Sequence, residues 1–182
     1  YGMFSFRTPN FVMRFVKGET DYLLGKIPYI YFREEYVQRG SSVYQQVLNL
    51  SEGEKIKLLR LLEENYLPKN RIYRYNYFYD NCTSRARDKV EESIEGKVVY
   101  PKNPEVRTFR EIIHEYTAGS EWSEFGIDLC LGSEADEPID ERQQMFAPFY
   151  LLAFARDAQI HRGDSVVPFV RAEFKAVDAT RE

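Results

Sequence analysis

Tyr73-Arg74-Tyr75-Asn76-Tyr77-Phe78-Tyr79-Asp80-Asn81-Cys82-Thr83-Ser84-Arg85-Ala86-Arg87-Asp88 changes its period half-way along. Tyr73, Tyr75, Tyr77 and Tyr79 recur every second residue, so an extended chain turns all four to one side. Cys82, Ala86, Val90 and Ile94 then recur every fourth residue, the spacing of a helix stripe. Asp80 and Asn81 stand at the changeover, and either can accept the free amides of a new helix. The stretch therefore predicts a cysteine in the first turn of a helix that follows an aromatic extended segment. Partial positive charge at a helix N-terminus favours a thiolate, as do nearby Arg85 and Arg87. A nucleophilic cysteine needs such surroundings. The same stripe admits another reading, because a cysteine aligned with Ala86 and Val90 is equally a candidate for the core.

Outward from this stretch, composition narrows the choices. The chain has 182 residues, enough for one domain with a substantial core. Apolar residues make up 43% and charged residues 30%, the balance of a globular chain rather than a disordered one. Aromatics reach 15%, which suits strands and an apolar groove more than a helical bundle. The net charge of −4 comes with no basic run or stripe, which argues against a nucleic-acid partner. The two cysteines, Cys82 and Cys130, make neither a metal site nor a disulfide scaffold. In an oxidising compartment they can still pair with each other, which would be a structural use of Cys82. No Gly-rich phosphate loop, paired-histidine zinc motif or Gly-x-Ser-x-Gly elbow is present, so no cofactor is expected. The longest nearly apolar run, Met145 to Ala155, is too short for a bilayer and is broken by Pro148. A core helix is its expected use. With no signal peptide and no initial methionine, the chain reads as a mature or excised fragment.

The remaining elements follow from caps and breakers. Tyr1 to Phe6 is expected to end a strand, and Thr8-Pro9 to open a short helix with Phe11, Val12 and Phe15 inward and Gly18 as its stop. Tyr22 to Tyr31 reads as extended, followed by a helical turn from Phe32 to Gln38 and a strand from Ser42 to Leu50. Ser51-Glu52-Gly53-Glu54 is a capping box, and Pro68 closes the helix it opens. The Cys82 helix should stop at Gly96, before a brief strand at Val98 to Tyr100. Thr108-Phe109-Arg110-Glu111 is a second capping box, for a helix ending near Gly119. Another helix is expected from Ser120, with Trp122, Phe125, Leu129 and Cys130 on its apolar side. Gly132 to Pro138 reads as a loop, Glu141 to Arg156 as a helix adjusted at Pro148, and Val166 to Val177 as extended. Strands and helices that do not alternate regularly predict an α+β fold.

A cysteine nucleophile needs a base, usually histidine. His114 falls inside an amphipathic helix and is expected at its rim. His161 lies in the polar run His161-Arg162-Gly163-Asp164 and is expected in solvent. Neither carries a local signature of a base. Arg85 and Arg87 can bind a carboxylate or phosphate, though paired charges on a helix usually form a solvated face.

Several segments together resemble a known family. They are Tyr1-Gly2 with Phe4 to Phe6, Gln46-Val47-Leu48-Asn49-Leu50, Tyr75 to Asp88, Gly126-Ile127-Asp128-Leu129 and Gln144-Met145-Phe146. Their order and spacing resemble the N-terminal periplasmic domain of the Lnb lipoprotein N-acyltransferase family, with Asp80-Asn81-Cys82-Thr83 the most specific part. The resemblance implies a single periplasmic domain over residues 1–182 with a permuted papain-like core, similar to lecithin:retinol acyltransferase and to cell-wall cysteine peptidases. It implies Cys82 as the nucleophile, with Tyr79, Asp80, Asn81, Thr83 and Arg85 in binding or supporting roles. The substrates it implies are a phospholipid acyl donor and a lipoprotein acceptor, at the periplasmic face of a bacterial inner membrane. The histidine of the family lies in a Phe-Gly-His segment upstream of Tyr1-Gly2, as do the signal sequence and, downstream, the membrane segments. The expectation is thus a domain truncated at its N-terminus and lacking its general base. A cell-wall cysteine peptidase or amidase, and a non-enzymatic envelope binding module, remain open beside it.

Overall fold

A computed structural model of the chain describes residues 1–3, 14, 20–119, 125–128 and 131–179. The expected helix at Thr8-Pro9, and Trp122, Leu129 and Cys130 of the helix expected from Ser120, lie outside these residues. In chain order the described elements are β1 (Asp21–Leu23), α1 (Tyr29–Gln38), β2 (Val43–Leu48), α2 (Glu52–Tyr66), β3 (Ile72–Arg74), α3 (Cys82–Ser93), β4 (Lys97–Val99), β5 (Arg107–Thr108), α4 (Phe109–Thr117), β6 (Pro138–Ile139), α5 (Glu141–Gln144), α6 (Pro148–Asp157), β7 (Gln159–Arg162), β8 (Ser165–Pro168) and β9 (Val170–Val177). The fold is α+β, as the irregular order of elements predicts.

The sheets are small, antiparallel and mostly non-local. β1 pairs with β3, and Met3 extends that sheet by bridging Leu23. β2 pairs with β9, β5 with β6, and β7 lies between β4 and β8. Two apolar clusters fill the space between these sheets and the helices. In one, Phe109, Ile112 and Ile113 of α4 meet Phe146 and Ala147. Phe78 stacks on Phe109 at 4.1 Å between ring centres, and Phe146 meets Phe109 edge-on at 5.1 Å. In the other, Ile94, Ala155, Ile160 and Phe169 join α3, α6 and the β7–β8 hairpin. Each buried aromatic or branched side chain contributes about 2 kcal/mol of hydrophobic stabilisation.

Local chemistry explains most boundaries. Ser51, Thr108 and Asp140 each close a reciprocal capping box, with Glu54, Glu111 and Gln143. Pro148 is the first residue of α6, where its missing N–H costs nothing, so the expected adjustment within 141–156 is a full break between two helices. Met145, Phe146 and Ala147, the residues of that break, are buried, and so are Phe154 and Ala155. No helix among the described residues is long and apolar enough to cross a membrane.

Four local expectations are corrected. The extended run does not continue to Tyr31: Pro28 takes up the extended backbone just before α1, and Tyr29 to Tyr31 form the first turn of that helix. His161 is not in the solvated turn but in β7, with its Nε2 buried; Gly163 at φ 57° makes the turn instead. Arg87 is not on a solvated face: its side chain is 8% exposed and bonds Asp88 and the carbonyl of Arg142. Phe125, expected on an apolar face, is 65% exposed.

Candidate active site

Asn81 assembles the site. Its Oδ1 accepts the amides of Thr83 (2.8 Å) and Ser84 (2.9 Å), and its own amide donates to Ser84 Oγ. Between the two capping candidates at the changeover, Asn81 is therefore the cap. Its Nδ2 donates to the carbonyls of Tyr77 (2.9 Å) and Phe146 (3.0 Å). One buried amide thus joins the tyrosine segment, the start of α3 and the break between α5 and α6. Asp80 does something else: both its oxygens accept from Arg85, whose guanidinium lies over the Tyr73 ring at 3.9 Å. Arg85 is accordingly committed to a protein carboxylate. Thr83 is buried, with Oγ1 4.0 Å from the sulfur of Cys82.

Cys82 is the first residue of α3 and a free thiol. It is half-buried, and the buried residues of its helix are Thr83, Ser84, Arg87 and Ser93, so it does not sit in the core. Its side chain borders a cavity of about 240 Å³ whose lining includes Tyr75, Tyr77, Ile113, Tyr116, Phe146 and Pro148. The wall is apolar and aromatic. A larger cavity of about 380 Å³ shares Phe146 and is lined also by Arg87, Asp88 and Arg142; Cys82 is not among its lining residues.

The alternation of tyrosines holds only as far as Tyr77. The Asn76 side chain accepts the amides of Phe78 and Tyr79, and Asn76 pairs with Asp80 across the turn. Tyr79 is thereby carried away from the thiol and donates to Glu134 at 2.6 Å; that hydrogen bond to a carboxylate pushes its pKa up to about 12. Tyr22, from β1, stacks on Tyr75 at 4.0 Å. Burial, and after it the charge of Cys82, holds the hydroxyls of Tyr22, Tyr73 and Tyr75 above the ordinary phenol range. Tyr77 is raised by burial, then by Tyr116 and Cys82. These phenols stay protonated at neutral pH and do not serve as bases.

Neither histidine borders the cavity. His114 Nε2 lies 2.9 Å from Asp128, which also binds Arg110, and Arg110 extends to Asp136. This network ties α4 to residues 125–128 and 133–136. It also holds Asp128 below the usual carboxylate range, by the hydrogen bonds from His114 and then Arg110. Gly2 lies against the nucleophile candidate. A β-carbon there would stand 3.0 Å from Cys82 Cβ and 3.6 Å from Sγ, and φ is +96°, so only glycine fits without strain. No group of three or more acidic, cysteine or histidine side chains suited to a metal occurs among the described residues.

A family model, that of the Lnb N-terminal periplasmic domain, matches residues 1–115. The chain belongs to this family. The match carries Gly2, the tyrosine segment and Cys82, and it ends within α4. Membership in the Lnb family gives the chain a periplasmic, lipoprotein-related setting. No curated protein and no solved structure matches the chain. Ile113, Tyr116 and Pro148, which were not expected near Cys82, complete the cavity it borders. Ile113 and Tyr116 carried a signal, being three apart on the apolar side of one helix. Pro148 was legible as a helix break but not as a wall of the cavity, because its approach to Cys82 depends on tertiary packing.

Proposed function

We propose that this chain carries a thiol acyltransferase site, in which Cys82 takes an acyl chain from a phospholipid ester and passes it to the α-amino group of a lipoprotein's N-terminal cysteine. The observation that carries the reading is a free thiol on the first residue of a 12-residue helix, bordering an aromatic, apolar cavity instead of the core. In the first step the sulfur attacks the ester carbonyl carbon, a C–S bond forms and the carbonyl π pair moves to oxygen. Collapse restores the carbonyl and expels the lysophospholipid alkoxide, which takes the proton the thiol gave to the base. In the second step the amine attacks the thioester. Its proton passes through the base to the departing sulfur, and the amide is left on the acceptor.

The base in this reading is the histidine of the family's Phe-Gly-His segment, reaching the thiol beside Gly2, which lies against Cys82. The papain-like arrangement belongs to the same proposal, as does the action of residues 1–182 as one unit. Tyr116 and the 146–148 break complete the cavity from beyond the family-matched stretch.

The test is the Cys82→Ala variant of the intact protein, read by mass spectrometry of lipoprotein N-termini. Loss of N-acylation is expected, together with loss of a hydroxylamine-sensitive acyl adduct on the Cys82 peptide after incubation with phospholipid. Persistent acylation by the variant overturns the reading.

A further inference from the structure

The cavity beside Cys82 is small for a phospholipid. At about 240 Å³ it falls below the roughly 300–1,000 Å³ of sites that enclose a drug-sized ligand, and a lipid with paired acyl chains is larger than such a ligand. The reacting ester and the methylenes next to it fit; the rest of the lipid stays outside. What lies at the rim therefore decides how the donor is met.

Tyr116 lines the cavity and is also 47% exposed, which puts it at that rim. Its hydroxyl accepts the amide of Phe149 at 3.2 Å, and its ring stacks on that of Phe149 at 6.2 Å between centres. Phe149 is 56% exposed and meets Tyr44 edge-on at 5.8 Å. Tyr44, 43% exposed, stands opposite Lys175 in the β2–β9 ladder, and the Lys175 ammonium lies over its ring at 5.5 Å. Lys175 also pairs with exposed Asp178. α4, the start of α6 and β2 thus each lend one ring to a single row, which runs outward from the rim and ends at a cation. Core packing does not account for Phe149, since Phe146, Phe154 and Ala155 on either side of it in the chain are the buried ones. Rings that touch one another and still face water form the kind of apolar patch that marks an interaction surface.

We propose that Tyr44, Phe149 and Tyr116 form the face on which this chain rests on a phospholipid bilayer, with Lys175 against the headgroups. The choice of a lipid surface rests on the acyl-transfer reading above. Continuity supports it, because the tyrosine that walls the cavity is also the first ring of the row. An ester at headgroup depth then enters the cavity while its acyl tails stay in the leaflet. The chemistry of the row supports it too. Tyrosine rings sit well at the membrane–water interface, a phenylalanine between them reaches the apolar layer, and a lysine at the edge meets lipid phosphate.

The 182-residue chain is centrifuged with vesicles of phosphatidylcholine alone, and with vesicles of an equal mixture of phosphatidylcholine and phosphatidylglycerol. Wild type should sediment with both, and more with the anionic mixture. Phe149→Ser and Tyr44→Ser should each weaken binding about tenfold, the loss expected when one large ring is withdrawn from an apolar layer. Lys175→Gln should weaken it about fivefold on the anionic vesicles and leave the neutral ones unchanged. All three side chains are exposed, so melting temperatures should stay level. In the intact protein carrying Phe149→Ser, acylation of Cys82 should fall when the donor is vesicle phospholipid. It should hold when the donor is p-nitrophenyl acetate in solution. A wild-type chain that stays in the supernatant, or a Phe149→Ser variant that sediments as wild type does, overturns the proposal and leaves the row to a protein partner. Equal loss of acylation from both donors also overturns it, since Phe149 then shapes the cavity instead of meeting the bilayer. If the chain binds vesicles through these residues but Cys82 takes no acyl group from either donor, the acyl-transfer reading fails while the docking face stands.

Discussion

Glu54 has two roles, one legible in the sequence and one not. It closes the capping box of α2 by accepting the Ser51 amide at 2.7 Å, which Ser51-Glu52-Gly53-Glu54 predicts. It is also 1% exposed, accepts both Arg162 Nε and Nη2, and takes the amide of Glu95. Burial alone would raise its pKa; the Arg162 hydrogen bond and the two backbone amides outweigh that, and the value falls to about 2. A carboxyl depressed on folding stabilises the native state above its unfolded pKa of about 4.3, and loses that contribution as pH falls through the folded value. The urea midpoint should therefore fall steadily as pH drops from about 4.3 to about 2. Glu54→Gln should lose about 3 kcal/mol at pH 7, since it leaves Arg162 without its partner, and should flatten the acid limb of the profile. Arg162 lies 108 residues further along the chain, too far for any local pattern to name it.

Helix α3 is the element on which the site depends, and its start was readable while its surroundings were not. The period change at Asp80-Asn81 locates its first residue correctly. The burial pattern differs from the stripe Cys82, Ala86, Val90, because α5 packs against the other side: Arg142 bonds Asp88 and Glu91, and its carbonyl accepts Arg87. This turns a polar face inward and leaves the thiol at the cavity. Asn81 tests the point. If it only capped the helix, Asn81→Asp would be harmless, because aspartate caps as well as asparagine. The structure instead sets Nδ2 against the carbonyls of Tyr77 and Phe146, where a carboxylate meets two oxygens. Both Asn81→Asp and Asn81→Ala should therefore lower stability by about 2 kcal/mol or more in thermal unfolding, with slower alkylation of Cys82 as the 146–148 wall shifts.

At the scale of the molecule, the family match and the strand pairing have different extents. Residues 1–115 carry the match, but among the described residues only the β1–β3 sheet is complete within them. β2, β4 and β5 find their partners in β9, β7 and β6, all beyond residue 115. A chain ended at Glu115 would leave three strands without their partners and would lose four of the seven buried residues of one apolar cluster and four of the five of the other. It should give no cooperative denaturant transition by circular dichroism, whereas residues 1–182 should give one. The sequence by itself determined the α+β class, the three helix starts marked by Ser51, Asn81 and Thr108, the helix-initial place of Cys82 and the family. Each rests on contacts within a few residues, where hydrogen-bond geometry and side-chain period leave few alternatives. Only the tertiary structure decided that Tyr79 turns to Glu134 and Tyr22 stacks on Tyr75, that His161 enters a strand, and that Phe146 helps to wall the cavity. Those placements come from strand pairing and buried hydrogen bonds between residues tens of positions apart, which no local pattern encodes.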